Sequence, residues 1–331
     1  MRSRAACRAH RSLRRRIERG DDWTGLICLQ HSARVGHVPA RCLPAMNDLH
    51  SEPSDVMNKP VISFVMAACK RPQFAMVALQ SLKRQTVRDW ELIVSPDDGE
   101  DYSALEHSDS RVTVARSGAV QTGPAHARNR ALAIASGALV GVLDDDDYLE
   151  PAYIAQAVAH FKSDTAKFAT APTRYVLDPS GAVVRQIGQF ATMDIERFGH
   201  QFGTMHAIGR REIYPQWKPG FAEDVMHTCK CIDLAGGEIA VLADANYMLR
   251  LHPGSLCAVA HCEDVSRSYN NLLAKLPYEM SRAGAMQTRT LLMQRIEMNK
   301  AFSGHGSGLH YHQFVKTRGP MFRSHRARVT E

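Results

Sequence analysis

Four consecutive aspartates, Asp144–Asp147, directly follow an unbroken apolar run, Ala138-Leu-Val-Gly-Val-Leu143. A run of this length without polar alternation suits a strand covered on both faces, as in parallel sheets flanked by helices. Four adjacent carboxylates repel one another, and gathering them in a cleft is costly without cations among them. Similar arrangements occur upstream. Val61-Ile-Ser-Phe-Val-Met66 leads into Ala67-Ala-Cys-Lys-Arg71, and a strand expected at Trp90–Val94 leads into Asp97-Asp98-Gly99. Ligands of open parallel sheets bind beyond the carboxyl ends of the strands, so three polar signals fall where a site belongs. A solvated acidic turn capping the helix at Pro151 is the other reading of Asp144–Asp147. The buried strand before it and the second Asp pair favour a divalent-cation site.

The intervening segments are helical. Pro72 precedes Gln73–Gln85, where Ala75, Leu79 and Leu82 recur at helical spacing. A short strand at Arg111–Ala115, a helix over Ala125–Ser136 closed by Gly137, and a helix from Pro151 to Lys162 continue the alternation. That order predicts an α/β fold with a mostly parallel, Rossmann-like sheet in three α/β/α layers. Further on, Thr173–Leu177 and Ala182–Gln186 flank Asp178-Pro-Ser-Gly181, a hairpin signal. A helix over Ala222–Leu234 and strands at Glu238–Leu242 and Tyr247–Leu251 complete a domain expected over residues 60–256. A helical C-terminal extension is expected over 257–302 and a mobile basic tail over 303–331.

Composition excludes several classes. Of 331 residues, 44% are hydrophobic and 23% charged, a globular balance. The formal charge of +7 resides within residues 1–45, which hold ten Arg, no Lys and three acids. Residues 1–59 read as a disordered Arg-rich extension, the remainder is formally neutral, and no nucleic-acid partner is expected. No apolar stretch reaches membrane-spanning length, although peripheral membrane contact stays open. The eight cysteines accompany no recognisable export signal, so reduced thiols and a cytoplasmic setting are expected.

The ordered set Val65-Met-Ala-Ala-Cys-Lys-Arg-Pro72, Leu92-Ile-Val-Ser-Pro-Asp-Asp-Gly99, Gly123-Pro-Ala-His-Ala-Arg-Asn-Arg130, Val142-Leu-Asp-Asp-Asp-Asp-Tyr-Leu-Glu-Pro151, Glu223-Asp224 and His252-Pro-Gly-Ser-Leu256 resembles the family 2 glycosyltransferases of GT-A fold. Each motif alone is weak; six in this order are specific. The resemblance implies an inverting, metal-dependent transfer of one sugar from a nucleotide-diphosphate sugar, UDP-linked by expectation, to a hydroxyl acceptor. That acceptor would be a glycan, a lipid-linked saccharide or a small molecule, in glycan, cell-surface polysaccharide or glycoconjugate synthesis. It also implies Mn²⁺ or Mg²⁺ on Asp146 and Asp144 with His252. Donor contacts would come from Ala68, Asp97, Asp98, Arg128, Asn129, Asp144 and Asp145. Asp224, beside Glu223, would be the catalytic base.

Each assignment has a plainer counterpart. Asp97-Asp98-Gly99 also suits a surface turn, Arg128 a surface cation, Glu223-Asp224 a helix N-terminus, and His252 a structural histidine. The chain has Ala67-Ala-Cys-Lys70 where the family commonly has Pro-Thr-Tyr-Asn, and it lacks the Gln-x-x-Arg-Trp signature of processive synthases. Single-sugar transfer is therefore expected. Zinc on His227, Cys229, Cys231, His252, Cys257, His261 and Cys262 is disfavoured, because no C-x-x-C pair exists and Cys229 and Cys231 point to different faces of one helix. A catalytically silent nucleotide-sugar-binding protein and a nucleotidyltransferase are the rival functions.

Overall fold

The computed structural model describes residues 59–253, 261–303 and 311–324. The Arg-rich extension and Ser255, Leu256 and Cys257 lie outside them. The chain enters through β1 (Ile62–Ala68), α1 (Pro72–Lys83), β2 (Trp90–Pro96), α2 (Ser103–Ser108) and β3 (Val112–Val114). It returns through α3 (Pro124–Ile134) to β4 (Leu139–Val142), then makes β5 (Tyr148–Leu149), α4 (Tyr153–His160) and β6 (Phe168–Thr170). The hairpin β7 (Thr173–Leu177) and β8 (Ala182–Ile187) precedes β9 (Thr192–Asp194), α5 (Ile195–Gly199) and β10 (Ala207–Arg210). Next come α6 (Glu223–Ala235), β11 (Glu238–Val241) and β12 (Tyr247–Leu251). Helices α7 (Cys262–Leu273), α8 (Leu276–Glu279), α9 (Arg282–Ser303) and α10 (Tyr311–Ser324) follow.

The main sheet has the order β3-β2-β1-β4-β10-β6-β11-β9. Strands β3, β2, β1, β4, β6 and β11 run one way, with β10 and β9 opposed. The continuous apolar runs are explained by cover on both faces. On β1, Ile62, Phe64 and Met66 join a core with Ala75, Leu79 and Leu82 of α1 and Tyr153 and Ile154 of α4. Val65 faces the opposite core with Ala131 of α3, Val225 of α6 and Leu292 of α9. A second sheet, β5-β12-β7-β8, stands beside the first and carries the hairpin foreseen in the sequence.

Some short elements carry no readable pattern. β10 is four residues long, and its Gly209 is required because Phe168 and Tyr214 occupy the space of a side chain. The expected mobile tail is corrected in part, since α10 lies within it with Phe314 and Val315 buried against Phe202 and Met298. Its apolar residues are too few to show against the Gly, His and Arg around them. Among the described residues no helix is long and apolar enough to cross a membrane.

The turn from α3 into β4 is held by one carboxylate. Glu91 Oε1 accepts from Ser63 Oγ (2.5 Å), Ser136 N (2.7 Å), Ser136 Oγ (2.9 Å) and Gly137 N (3.2 Å). A Cβ at Gly137 would lie 2.7 Å from both the backbone N and the Oγ of Ser63. Gly137→Ala should therefore cost about 1–3 kcal/mol, the usual penalty for overpacking. Urea titration checks this: the midpoint should fall with the slope unchanged, and an unshifted midpoint refutes the close contact.

Candidate functional site

The chain lays down β1, β2 and β3 in one direction across the sheet, then returns to the other side of β1 with β4. The crevice between the ends of β1 and β4 is thus a topological switch point, where open α/β sheets bind ligands. The segment after β1 supplies Cys69 and Arg71, and the segment after β4 supplies the four aspartates. Cys69 N–H donates to Asp145 Oδ2 at 2.8 Å across this crevice.

The four carboxylates coexist because each is engaged by cations or hydrogen-bond donors, Arg71 being shared by Asp145 and Asp146. Asp144 accepts from Arg128 Nη2 at 2.6 Å and lies 3.4 Å from His206 Nε2. Asp145 is 3% exposed and lies 3.7 Å from Arg71 Nε in addition to its Cys69 bond. Asp146 pairs with Arg71 Nη1, and its Oδ2 is 3.0 Å from His252 Nε2. Asp147 accepts from Arg250 N–H at 2.8 Å and from the Tyr247 hydroxyl, which itself accepts from Asp144 N–H at 3.1 Å. The second sheet explains this. Strand β12 supplies Tyr247 and Arg250, and His252 follows it directly.

Burial and charge then separate these acids. Burial alone would raise Asp144, but the Arg128 guanidinium and His206 outweigh it and hold that carboxyl well below the ordinary range. Burial pushes Asp145 up to about 7, against the attraction of Arg71 and with the repulsion of Asp146. Asp147 is also raised well above its usual range, by burial first and then by the charges of Asp146 and Asp144.

Arg128 joins this cluster to a distant part of the chain. It projects from α3, is 5% exposed, and its Nη1 donates to Glu223 at 3.0 Å while Nη2 holds Asp144. Glu223 opens α6 next to Asp224, and burial together with the Asp224 charge raises its carboxyl despite Arg128. Asp224 Oδ2 accepts from Thr204 Oγ1 at 2.6 Å. The acids at the end of β4 and those at the start of α6 therefore share one site.

The remaining expected donor contacts are distributed differently. Asp97 accepts from Thr122 N (3.0 Å), the Thr122 hydroxyl, Gly123 N (2.8 Å) and Arg130 Nη2 (3.1 Å), so its carboxylate braces the turn into α3. Asn129 is committed too: its amide donates to Trp217 O at 2.8 Å and accepts from Trp217 N at 2.9 Å. Ala68 O accepts from Asp97 N–H at 2.9 Å. Asp98 accepts from Lys70 N–H, from Glu100 N–H at 3.0 Å and from the Tyr102 hydroxyl at 3.1 Å.

The expected metal ligands fit only in part. Asp146 Oδ2 and His252 Nε2 lie 3.0 Å apart, a carboxylate and an imidazole of the kind that ligate Mn²⁺ or Mg²⁺. Arg71 Nη1 bonds the same oxygen and is 3.3 Å from Nε2, so a metal there would have to displace that guanidinium. Asp144 does not join them, because Arg128 and His206 engage its oxygens; among the described residues no three His, Cys, Asp or Glu side chains are grouped for a metal. Zinc finds no support in the thiols either. Cys229 and Cys231 are buried in the core, Cys231 Sγ lies 3.8 Å from His227 Nδ1, and His227 stacks on Trp217 at 4.1 Å with its Nε2 2.9 Å from Pro215 O. Sequence reasoning assigned no role to Arg71, His206 or Thr204. Arg71 alone carried a signal, as a cation directly after a buried strand.

Residues 63–217 match the family model described as glycosyl transferase family 2. The chain is 31% identical over 108 residues to a putative colanic acid biosynthesis glycosyl transferase, WcaA, of Escherichia coli (strain K12), covering 31% of this chain and 38% of that protein. It is 35% identical over 94 residues to the Escherichia coli UDP-Glc:alpha-D-GlcNAc-diphosphoundecaprenol beta-1,3-glucosyltransferase WfgD, covering 28% and 37%. The chain thus spans less than two-fifths of either relative's length. In fold it is similar to S. aureus TarS 1–349 solved with UDP-GlcNAc: TM-score 0.61, 17% identity, 80% of this chain and 87% of that one. The Pyrobaculum calidifontis mannosyltransferase PcManGT, solved with GDP-Man and Mn²⁺, has a TM-score of 0.50 at 14% identity, covering 84% and 87%. The fold is GT-A, and residues 63–217 carry the glycosyl transferase family 2 match that the motif order implies.

The bracing of Asp97 has a pH signature. Burial opposes its charge, but the bonds from Thr122, Gly123 and Arg130 prevail and lower its carboxyl below the usual range. The ionised group therefore adds stability that is complete above the unfolded value of about 3.9 and is lost as pH falls through the lower folded value. Asp97→Asn should flatten the decline of stability below about pH 4. Urea midpoints measured against pH in both proteins test this, and an equally steep acid limb in the variant refutes it.

Proposed function

We propose that the chain is an inverting glycosyltransferase that moves one sugar from a nucleotide-diphosphate donor to an acceptor hydroxyl, with Asp224 as general base. The observation that carries the reading is the buried Arg128 bridge, which sets the Asp144–Asp147 run and the Glu223-Asp224 pair in one site. A UDP-linked donor is favoured by what WfgD is named for and by the UDP-GlcNAc bound to TarS. A role in cell-surface polysaccharide or glycoconjugate synthesis is supported by the colanic acid relative.

In this mechanism the sugar lies between the end of β4 and the start of α6. Asp224 takes the proton from the acceptor hydroxyl as its oxygen attacks the anomeric carbon. Arg128 keeps the neighbouring acids in place, and Arg71 presents a guanidinium beside Asp146 where the diphosphate would lie. Asp146 and His252 would hold Mn²⁺ or Mg²⁺. When bound, the ion neutralises charge developing on the departing diphosphate.

Release of nucleoside diphosphate from UDP-glucose, UDP-N-acetylglucosamine and GDP-mannose with Mn²⁺ or Mg²⁺ is the direct test. Silence with all three would overturn the enzymatic reading. Calorimetry with UDP should show affinity that depends on Mn²⁺ and is lost in Asp146→Ala, and equal affinity in Mn²⁺ and EDTA would remove the metal from the scheme. Asp224→Asn should retain UDP binding while turnover falls about 10²–10⁴-fold, the usual general-base contribution. The same loss in Glu223→Gln, with Asp224→Asn active, would reassign the base.

A further inference from the structure

The carboxylate proposed as base is held by Thr204, and a chain of contacts ties Thr204 to the C-terminal helices. Thr204 Oγ1 donates to Asp224 Oδ2, and one helical turn later Thr228 Oγ1 donates to Met205 O at 2.8 Å. The irregular segment 202–206, which leads into β10, is thus fastened to α6 at two points one turn apart. Each of its first three residues has its own anchor. Phe202, with a left-handed φ of 45°, is buried with Met298 of α9 and Phe314 and Val315 of α10. Gly203 O accepts from Arg295 Nη2 of α9 at 2.7 Å, and a side chain at Gly203 would collide with the Tyr175 hydroxyl. Thr204 N–H donates to that same Tyr175 hydroxyl at 2.9 Å, and the Tyr175 ring packs at 4.1 Å on His312 of α10.

Arg295 is a costly device for a purely structural task. It is 5% exposed, with its Nε buried and unpartnered, and the Phe198 ring 5.3 Å from its guanidinium carbon. Its guanidinium is shared between the Gly203 carbonyl and the Tyr269 hydroxyl of α7, and a buried cation held in this way fixes the position of the groups it bonds. Here it fixes the residue immediately before Thr204.

We propose that Thr204 is a positioning residue for Asp224, and that the C-terminal helices, through Arg295, set Thr204. The Thr204 hydroxyl fixes one carboxylate oxygen and leaves the other to face the acceptor. This rests on Asp224 being the base. The C-terminal extension is then a working part of the transfer site, joined to it through segment 202–204.

Thr204→Val keeps the shape and removes the donor, and Thr204→Ser restores it. Nucleoside diphosphate release is measured with UDP-glucose or UDP-N-acetylglucosamine, whichever wild type consumes, alongside UDP affinity by calorimetry. Thr204→Val should lower kcat about ten- to hundredfold, the scale of a hydrogen bond to a charged group. Donor KM and UDP affinity should stay within about twofold, since the contact touches the base and not the donor. Thr204→Ser should recover most of the rate. In an Asp224→Asn background, Thr204→Val should add little further loss, because both changes act on one group. Arg295→Met should lower kcat likewise, but it empties a buried site, so the Thr204 pair decides. Wild-type turnover in Thr204→Val, equal losses in Val and Ser variants, or additive losses in the double variant would overturn the proposal. Wild-type turnover in Asp224→Asn instead overturns the base assignment, a separately visible result.

Discussion

The architecture of the site depends on one buried guanidinium. Arg128 stands between Asp144 and Glu223, and removing such a cation from water costs several kcal/mol that only close, well-directed carboxylates offset. Its base is fixed by α3, which packs on β1 and β2, so the guanidinium is delivered to the strand ends by the sheet itself. The two partners respond differently because their surroundings differ. Asp144 has the shorter contact and His206 as a second neighbour, whereas Glu223 carries the adjacent charge of Asp224. One cation thus serves two acids unequally, and the acids at the start of α6 cannot move independently of those after β4.

The Asp144–Asp147 run shows how a repulsive sequence becomes a stable structure. Repulsion falls when neighbouring carboxylates face different directions, and the chain turns sharply here, Asp147 N–H bonding back to Asp144 O at 3.1 Å. Asp144 and Asp146 bond guanidinium groups, Asp145 the Cys69 amide with Arg71 close by, and Asp147 is buried against β12. The second sheet is therefore part of the site. It brings His252 to Asp146 and Tyr247 between Asp144 and Asp147, residues about a hundred positions away in sequence.

What was legible follows from periodicity. β1 and β4 were readable as apolar runs because both faces are buried, α1 because Pro and a spaced apolar stripe mark it, and α3 because Gly137 closes it. The hairpin β7–β8 was readable from its turn residues. Asp144–Asp146, Arg128, Glu223 and His252 were expected together from strand ends and motif order, and their side chains lie together in the fold. Asp97 and Asn129 were assigned to the donor, yet their side chains hold Thr122–Gly123 and Trp217. A carboxylate or amide that braces a loop is identical in sequence to one that meets a ligand. Thr204 had no signal, since its importance arises from a contact made only when α6 and segment 202–206 come together.

Backbone strain is placed at this same junction. Ala222, immediately before Glu223, has φ 64° and ψ 30°, a left-handed conformation that a residue with a side chain adopts at a cost. Phe202, two residues before Thr204, is left-handed as well. Such residues cost about 1–3 kcal/mol each and persist only where the surroundings over-determine them. The surroundings do so here: Phe202 is enclosed by Met298, Phe314 and Val315, and Ala222 is buried with its carbonyl accepting from Met226 N–H at 3.1 Å. The two strained residues flank the two ends of the Thr204–Asp224 hydrogen bond. A relaxed residue at either position would carry the chain in another direction and draw the hydroxyl and the carboxylate apart. The strain, the buried Arg295 and the C-terminal helices therefore serve the same end, holding one carboxylate oxygen at a fixed place beside the strand-end acids.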